Sequence, residues 1–213
     1  MVSLIFAILV WLFFYFCYSG HLVYNQGLWL FLDTKAYFID KVSHIGGLGD
    51  YAGIFLTQFG YWPLLGAAII AVILGGIHFL LTLSLRKKGF GSIWGQVALA
   101  VPFVIWVLLC RKGASIGLAF GILVAVALSL VRYGNKLISV LWTVVVAAAL
   151  FLGFGWVSAA AFIVLQALQL IPAGKGKPQP RKAVEYAVAA AIFVVGLACV
   201  GKFSDFNIDM DMR

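Results

Sequence analysis

The sequence predicts an all-α integral membrane protein with about seven transmembrane helices and two interfacial juxtamembrane helices in its first extracytoplasmic loop. The chain is 64% hydrophobic and 10% charged, whereas soluble domains carry roughly 25% charged residues. Its apolar residues fall in long runs that are separated by glycines and short charged turns. The net charge of +8 comes from basic clusters between these runs, a pattern typical of membrane loops rather than of nucleic-acid binding. We therefore expect the lipid bilayer, and no nucleic acid, as a partner.

The apolar runs define the predicted spans. Val2–Ser19 is long enough to cross a bilayer, and it lacks the basic start and small-residue cleavage site of a signal peptide. The stretch from Leu137 to Ile171 is too long for one span and is predicted to turn at Gly153-Phe154-Gly155. The other spans are predicted at Pro63–Leu85, Ile93–Cys110, Ser115–Val131, Leu137–Phe151, Trp156–Ile171 and Ala183–Val200.

The distribution of Lys and Arg predicts the orientation. With the N-terminus in the cytoplasm, nine of the 15 basic residues fall in cytoplasmic loops, as the positive-inside rule favours. The C-terminus is then extracytoplasmic. Residues 1–201 form a polytopic membrane domain, and residues 202–213 form a polar tail that is expected to begin a further domain.

The loop of residues 21–62 is the longest segment outside the predicted spans. We expect a first interfacial helix from Leu28 to His44, with the polar side chains on one face. A break at Gly46-Gly47 precedes a second helix, Tyr51–Gln58, for which Asp50 is the expected N-cap. Apolar residues of the second helix, among them Leu48 and Phe55, are predicted to face the membrane. Pro63 is expected at the first position of the next span.

The same loop holds the candidate functional residues. The first carboxylate in the chain, Asp33, is the candidate catalytic acid, although an Asp on an interfacial helix is usually only solvated. His21, Asp33, Asp40 and His44 have no spacing that would fix them around a metal ion, so no metal and no cofactor are expected. The predicted substrate or partner surface comprises Asn25, Gln26, Asp33, Tyr37, Asp40 and His44.

Polar residues and glycines inside the spans form a second group of candidates. An ionisable His78 within a span indicates a functional site, but a neutral imidazole bonded to a neighbouring helix is the alternative. Gln96, Gln166 and Gln169 are expected to form hydrogen bonds between helices. Gly113, Gly117 and Gly121 recur at every fourth position, a pattern that favours close helix packing.

Several short stretches of the first loop carry a resemblance to a known family. They are His21-Leu-Val-Tyr24, Leu30-Phe-Leu32, Tyr37-Phe38, Gly46-Gly47-Leu48 and Phe55-Leu-Thr-Gln-Phe59. They resemble the N-terminal membrane half of an uncharacterised family of multi-pass inner-membrane proteins from Bacteroidota. The resemblance implies a location in the bacterial inner membrane and a soluble helical segment after the membrane part. It implies no activity.

The layout of the spans is similar to the shared module of C-type membrane glycosyltransferases. Those enzymes use polyprenyl-phosphate sugars and place an acidic residue soon after the first span, where a carboxylate can act as a base or bind a metal. The matching stretch here, His21 to Gly27, contains Asn25 and Gln26 but no acid. This departure puts a catalytic role of the loop in doubt.

The sequence leaves three functions open. The first is a non-catalytic membrane anchor or scaffold whose first outer loop docks a protein partner or a domain. The second is a glycosyltransferase-like module, active or degenerate, that handles a polyprenyl-phosphate-linked sugar at the outer leaflet. The third is a small transporter, for which only His78 and the three Gln residues could line a polar path.

Overall fold

The computed structural model describes residues 2–87, 98–111, 113–131 and 136–170, and these ranges contain helices and no strands. A π-helix, Phe13–Cys17, follows the first helix, and a 3₁₀ turn, Phe59–Tyr61, precedes the fifth. The α-helices are α1 (Val2–Leu12), α2 (Ser19–Leu28), α3 (Lys35–Val42), α4 (Gly47–Gln58), α5 (Pro63–Arg86), α6 (Ala100–Leu109), α7 (Ile116–Ser129), α8 (Lys136–Phe154) and α9 (Trp156–Leu170).

Fewer helices reach the length of a membrane span than the seven predicted. Among the described residues, α5 and the Leu137–Phe154 part of α8 are long and apolar enough, and the bent pair Val2–Cys17 and Ser19–Leu28 makes a third if it is one span. Helices α6, α7 and α9 are apolar but shorter. The predicted span Ala183–Val200, the beginning of Ile93–Cys110 and the tail 202–213 lie outside the described residues.

The first predicted span is helical but does not end as expected. Helix α1 continues through the π-helix to Cys17, and the chain then bends by 79° into α2. Aromatic packing surrounds this bend, with the Phe13 ring 5.4 Å from that of Tyr18 and 5.1 Å from that of Trp106. The bend directs α2 towards the Phe59–Tyr61 turn and the start of α5, which it contacts.

The core is formed by close helix pairs. Helix α1 packs against α5, where a Cβ on Gly75 would lie 2.7 Å from the Ala7 methyl carbon. Helix α7 contacts α4, α5 and α9. A second apolar cluster joins α7, α8 and α9, and Phe162 is completely buried in it. The predicted turn between α8 and α9 is confirmed, with Gly155 at φ +83°.

The first interfacial helix is shorter than predicted. The chain leaves the helical conformation after Leu28, and α3 begins only at Lys35. Thr34 is the N-cap, and its side chain accepts a hydrogen bond from the Tyr37 backbone N–H at 3.3 Å. The cap was not recognised in the sequence because its polar neighbours, Asp33 and Lys35, were both assigned to one longer helix. Asp33 therefore precedes the helix and does not share a helical face with Tyr37 and Asp40.

The second helix begins earlier than predicted and packs inside the bundle. Its N-cap is Gly46 at φ +84°, so the prediction that Asp50 is the N-cap was wrong. Gly49 and Gly53 lie against Gly117 of α7, and a Cβ on Gly53 or Gly117 would overlap the facing backbone. This glycine contact explains why α4 lies against α7 along one face, while Leu48 and Phe55 stay exposed.

Candidate functional site

One end of the bundle brings the first loop together with two turns. Residues 18–62 lie there with residues 109–111 and 113–117 of the α6–α7 turn and residues 152–157 of the α8–α9 turn; we call this region the loop end. The Gly46 N–H donates a hydrogen bond to the Leu152 carbonyl at 2.9 Å. A Cβ atom added to Gly46 would lie only 3.4 Å from the Cα of Gly155, so the two backbones are close together. The first loop is therefore a folded part of the bundle.

Helix α2 is tied to the α6–α7 turn by two hydrogen bonds. The Tyr18 hydroxyl donates to the Cys110 carbonyl at 3.1 Å, and the Gly113 N–H donates to the Asn25 side-chain oxygen at 3.1 Å. Gly113 has φ +73°, so it is a turn residue and does not join Gly117 in helix packing. Asn25 is only 7% exposed. It therefore lies inside the protein and not on the outer surface predicted for it.

His21 completes this buried polar cluster. Its Nε2 lies 3.0 Å from the Asn25 amide nitrogen and 3.1 Å from the Leu109 carbonyl oxygen. In a given tautomer Nε2 either accepts from the amide or donates to the carbonyl, so only one contact is a hydrogen bond. A cavity of about 20 Å³ lies beside it, lined also by Thr57 and Gly60. This volume is sufficient for one water molecule, which could satisfy the remaining polar atoms.

Gln26 also points towards a neighbouring helix. Its amide nitrogen lies 3.5 Å from the side-chain oxygen of Gln58. Gln58 in turn donates to the Trp29 and Ile54 carbonyls. Asn25 and Gln26 thus connect α2 to its surroundings, whereas the other residues of the predicted surface lie before, on and just after α3.

Those other residues are spread along an exposed strip. Asp33 is exposed in the segment before α3. The Tyr37 hydroxyl donates to the Leu30 carbonyl at 3.3 Å, and His44 Nδ1 donates to the Asp40 carbonyl at 2.9 Å. The pKa of Tyr37 is raised, mainly by burial and further by the negative charges of Asp40 and Asp50. No three His, Cys, Asp or Glu side chains of the described ranges come together as a metal site.

An aromatic cluster fixes this strip to α4. The ring of Phe31 lies 5.1 Å from that of Tyr51, 5.3 Å from that of Phe55 and 6.1 Å from that of Tyr37. Large apolar side chains around the cluster remain exposed. We call them the first-loop surface: Leu30, Leu32, Phe38, Ile39 and Ile45.

A groove of about 480 Å³ opens at the loop end, a volume within the range of small-molecule sites. Its walls come from the start of α4, the end of α6, the start of α7 and the α8–α9 turn. Asp50 and Ser115 are the polar side chains among its lining residues. The Ser115 hydroxyl accepts a hydrogen bond from the Gly117 N–H at 3.0 Å. The apolar walls include Ile105, Leu108, Leu118, Phe154 and Trp156.

Asp50 is the functional candidate that the sequence did not reveal. Burial raises the pKa of its carboxyl, and the positive charge of Lys41 opposes this shift in part. Sequence reasoning assigned Asp50 to a helix cap because the groove exists only after three separate segments have packed together. The one available signal was the run of glycines before it, Gly46, Gly47 and Gly49, which permits the close backbone approach.

Comparison with known proteins places the chain in a family. A family model matches residues 1–206. The chain belongs to DUF6057, a family of unknown function. This match confirms membership of an uncharacterised family. No curated protein and no solved structure matches the chain.

Three further predicted residues of this DUF6057 member, His78, Gly121 and Gln166, do not line the groove. His78 of α5 is 2% exposed, and its Nδ1 lies 2.8 Å from the Ser3 hydroxyl oxygen. Gly121 packs against Ser158 and Phe154, and Gln166 is half-buried on α9. Gln96 and the side chain of Gln169 lie outside the described residues.

Proposed function

We propose that the chain is a multi-pass protein of the bacterial inner membrane with seven spans. The observation that carries this proposal is the exposed face of α8. Its side chains Val140, Leu141, Val144 and Val145 are 55–64% exposed. A continuous apolar face of this kind is unfavourable in water and favourable in lipid. The three helices that are shorter than a bilayer would then cross it as part of a packed bundle.

The charges at the two ends support a cytoplasmic N-terminus. Arg86 ends α5 and Lys87 follows it, on the side away from the loop end, and nine of the 15 basic residues of the sequence are predicted on that side. The positive-inside rule places the Arg86 end in the cytoplasm and the loop end outside. Labelling of single cysteines in intact cells tests this orientation. An impermeant maleimide should label Asp33→Cys and not Lys87→Cys in a chain whose native cysteines are replaced, and the reverse pattern would contradict it.

The function we propose is a non-catalytic anchor or scaffold, in which the first-loop surface docks a protein partner or domain. Exposed apolar side chains lie there beside a packed aromatic cluster and the Gly46–Leu152 hydrogen bond. A preformed apolar surface loses little conformational entropy on binding. The exposure of these side chains and the packing beneath them support docking.

Site-specific cross-linking tests the docking proposal. A photoreactive group is attached to Ile39→Cys on the first-loop surface and, as a matched control, to Val140→Cys on α8, which is similarly exposed and apolar. In native membranes we expect a discrete protein adduct from position 39 and only lipid adducts from position 140. Lipid adducts from both positions would reject docking and would indicate that the loop lies in the bilayer.

The groove favours a second candidate, a glycosyltransferase-like module for a polyprenyl-phosphate-linked sugar. The carboxylate available inside the groove is Asp50, whereas Asp33 does not line it. A carboxylate beside an apolar wall can act as a general base on a lipid-linked substrate. Sugar transfer that is lost in Asp50→Asn and kept in Asp33→Asn would support this candidate. Transfer that is unchanged in both would reject it.

A further inference from the structure

The groove at the loop end combines one acidic side chain with open apolar walls. Asp50 lies on one side, and Leu108, Leu118 and Trp156 are 38–48% exposed along the others. In a membrane protein these open walls face acyl chains rather than water. The space of about 480 Å³ would otherwise be an unfilled gap in an apolar environment, which is costly because its lining loses packing contacts.

The charges around the groove define the headgroup that fits. Among the described residues that line it, Asp50 carries the only charge. Its carboxylate is exposed at the groove, with Lys41 as a neighbouring cation, so a ligand cation that also donates hydrogen bonds can reach it. An exposed basic residue, Arg111, lies in the same turn as the lining residues Leu109 and Ala114. A headgroup with an ammonium and a phosphate is complementary to this pair of charges.

We propose that the groove binds a zwitterionic bilayer phospholipid with a primary ammonium, whose ammonium contacts Asp50 and whose acyl chain lies between Leu108 and Leu118. Trp156, at the wall of the groove, then lies beside the acyl chain. This inference rests on the proposed membrane location and is independent of partner docking. The lipid is proposed as a bound component of the protein and not as a substrate.

Fluorescence quenching tests the proposal on the full chain. The protein is held in detergent with phosphatidylcholine, and phosphatidylethanolamine or phosphatidylglycerol with a brominated acyl chain is titrated in. The difference between wild type and Trp156→Phe isolates the emission of Trp156. We expect phosphatidylethanolamine to quench this emission at a concentration about fivefold lower than phosphatidylglycerol, which corresponds to a partly exposed charge pair of about 1 kcal/mol.

Three variants make the result specific. Asp50→Asn should abolish the fivefold preference, whereas Asp33→Asn, the same chemical change at an exposed acid outside the groove, should keep it. Leu118→Phe narrows the groove and should weaken quenching by both lipids, and it leaves the carboxylate in place if Asp50→Asn does not fold. Equal quenching by the two lipids, or a preference that survives in Asp50→Asn, would overturn the proposal.

The outcomes distinguish a failure of the lipid-site proposal from a failure of the proposed membrane location. A preference for the anionic phosphatidylglycerol would overturn it and would favour an anionic lipid-linked substrate instead. If the topology experiment fails, the membrane assignment itself is wrong. If the topology holds and quenching shows no preference, only the lipid site is rejected.

Discussion

Helices α5 and α8 have the same mean hydropathy, yet they occupy different environments. Of the most apolar stretch of α5, 56% is buried inside the protein, against 11% for α8. Helix α5 presents small residues such as Gly66, Ala67, Ala71 and Gly75 at its contacts, whereas α8 exposes Val and Leu. Small residues permit close backbone approach and large ones suit lipid. The comparison shows that two helices of equal hydropathy can differ in burial, and that the size of the side chains decides which of them packs closely against its neighbours.

The largest expected effect comes from placing a large side chain at a small-residue contact of α5. A Cβ atom added to Gly75 would already lie 2.7 Å from the Ala7 methyl carbon. Gly75→Leu places a much larger side chain at this contact. Overpacking of this kind should lower the free energy of unfolding by about 3 kcal/mol, measured by denaturant unfolding in detergent. The matched control, Ala148→Leu on the exposed side of α8, should change stability little. A similar loss in both variants would show that the α8 face is buried against another surface.

A second prediction extends the comparison from the helices to the loop end. Asn25→Leu removes the acceptor of the Gly113 N–H and leaves a partly buried donor unsatisfied. This should cost about 2 kcal/mol of unfolding free energy. The neighbouring Gln26→Leu loses only a 3.5 Å contact and should cost much less. Equal losses would mean that the buried polar cluster does not hold α2 to the α6–α7 turn.

A smaller effect is expected at the α1–α5 contact. Ser3→Ala removes the 2.8 Å hydrogen bond with His78, and hydrogen bonds between membrane helices average about 0.6 kcal/mol. Ser43→Ala is the control, since its hydroxyl donates to Asp40 on the exposed loop. Thermal unfolding in the same detergent should resolve the first change and not the second. A loss above about 2 kcal/mol for Ser3→Ala would instead indicate a coupled polar network around His78.

The smallest effect concerns the charge of Asp50. Its folded-state pKa lies above the ordinary value because of burial, so the folded protein binds a proton more readily than the unfolded chain. Stability should therefore increase as the pH falls through the raised pKa towards the ordinary one. In lipid-free detergent at neutral pH, Asp50→Asn should raise Tm by about one degree or less, because the carboxyl is exposed, and the difference should vanish on acidification. Asp33→Asn should show no such pH-dependent difference.

The sequence predicted much of the helical framework because the relevant signals are local. Pro63 at the first position of α5 and the glycine turn before Trp156 were read correctly, since each depends on a few adjacent residues. The start of α3 and the N-cap of α4 were predicted wrongly. Thr34 lies in a short polar stretch that was assigned to one longer helix, and Gly46 lies in a glycine-rich stretch that was interpreted as a break between helices.

The candidate site was predictable only as a region. The first loop was recognised from its length and polar content, but Asn25 was placed on the surface and Asp50 at a helix cap. The buried position of Asn25 and the groove around Asp50 could not be predicted, because Gly113 and the walls of the groove come from turns far along the chain. No local pattern reports such distant contacts.

The sequence by itself determined that the chain is helical, that its apolar runs exceed what a soluble core needs and that its charges gather between those runs. These properties follow from composition and spacing. Only the tertiary structure decided that α4 packs on α7 through Gly49, Gly53 and Gly117, and that Asp50 thereby lines an apolar groove. The physical reason is that backbone approach between glycines depends on shape complementarity between distant segments, which hydropathy does not encode.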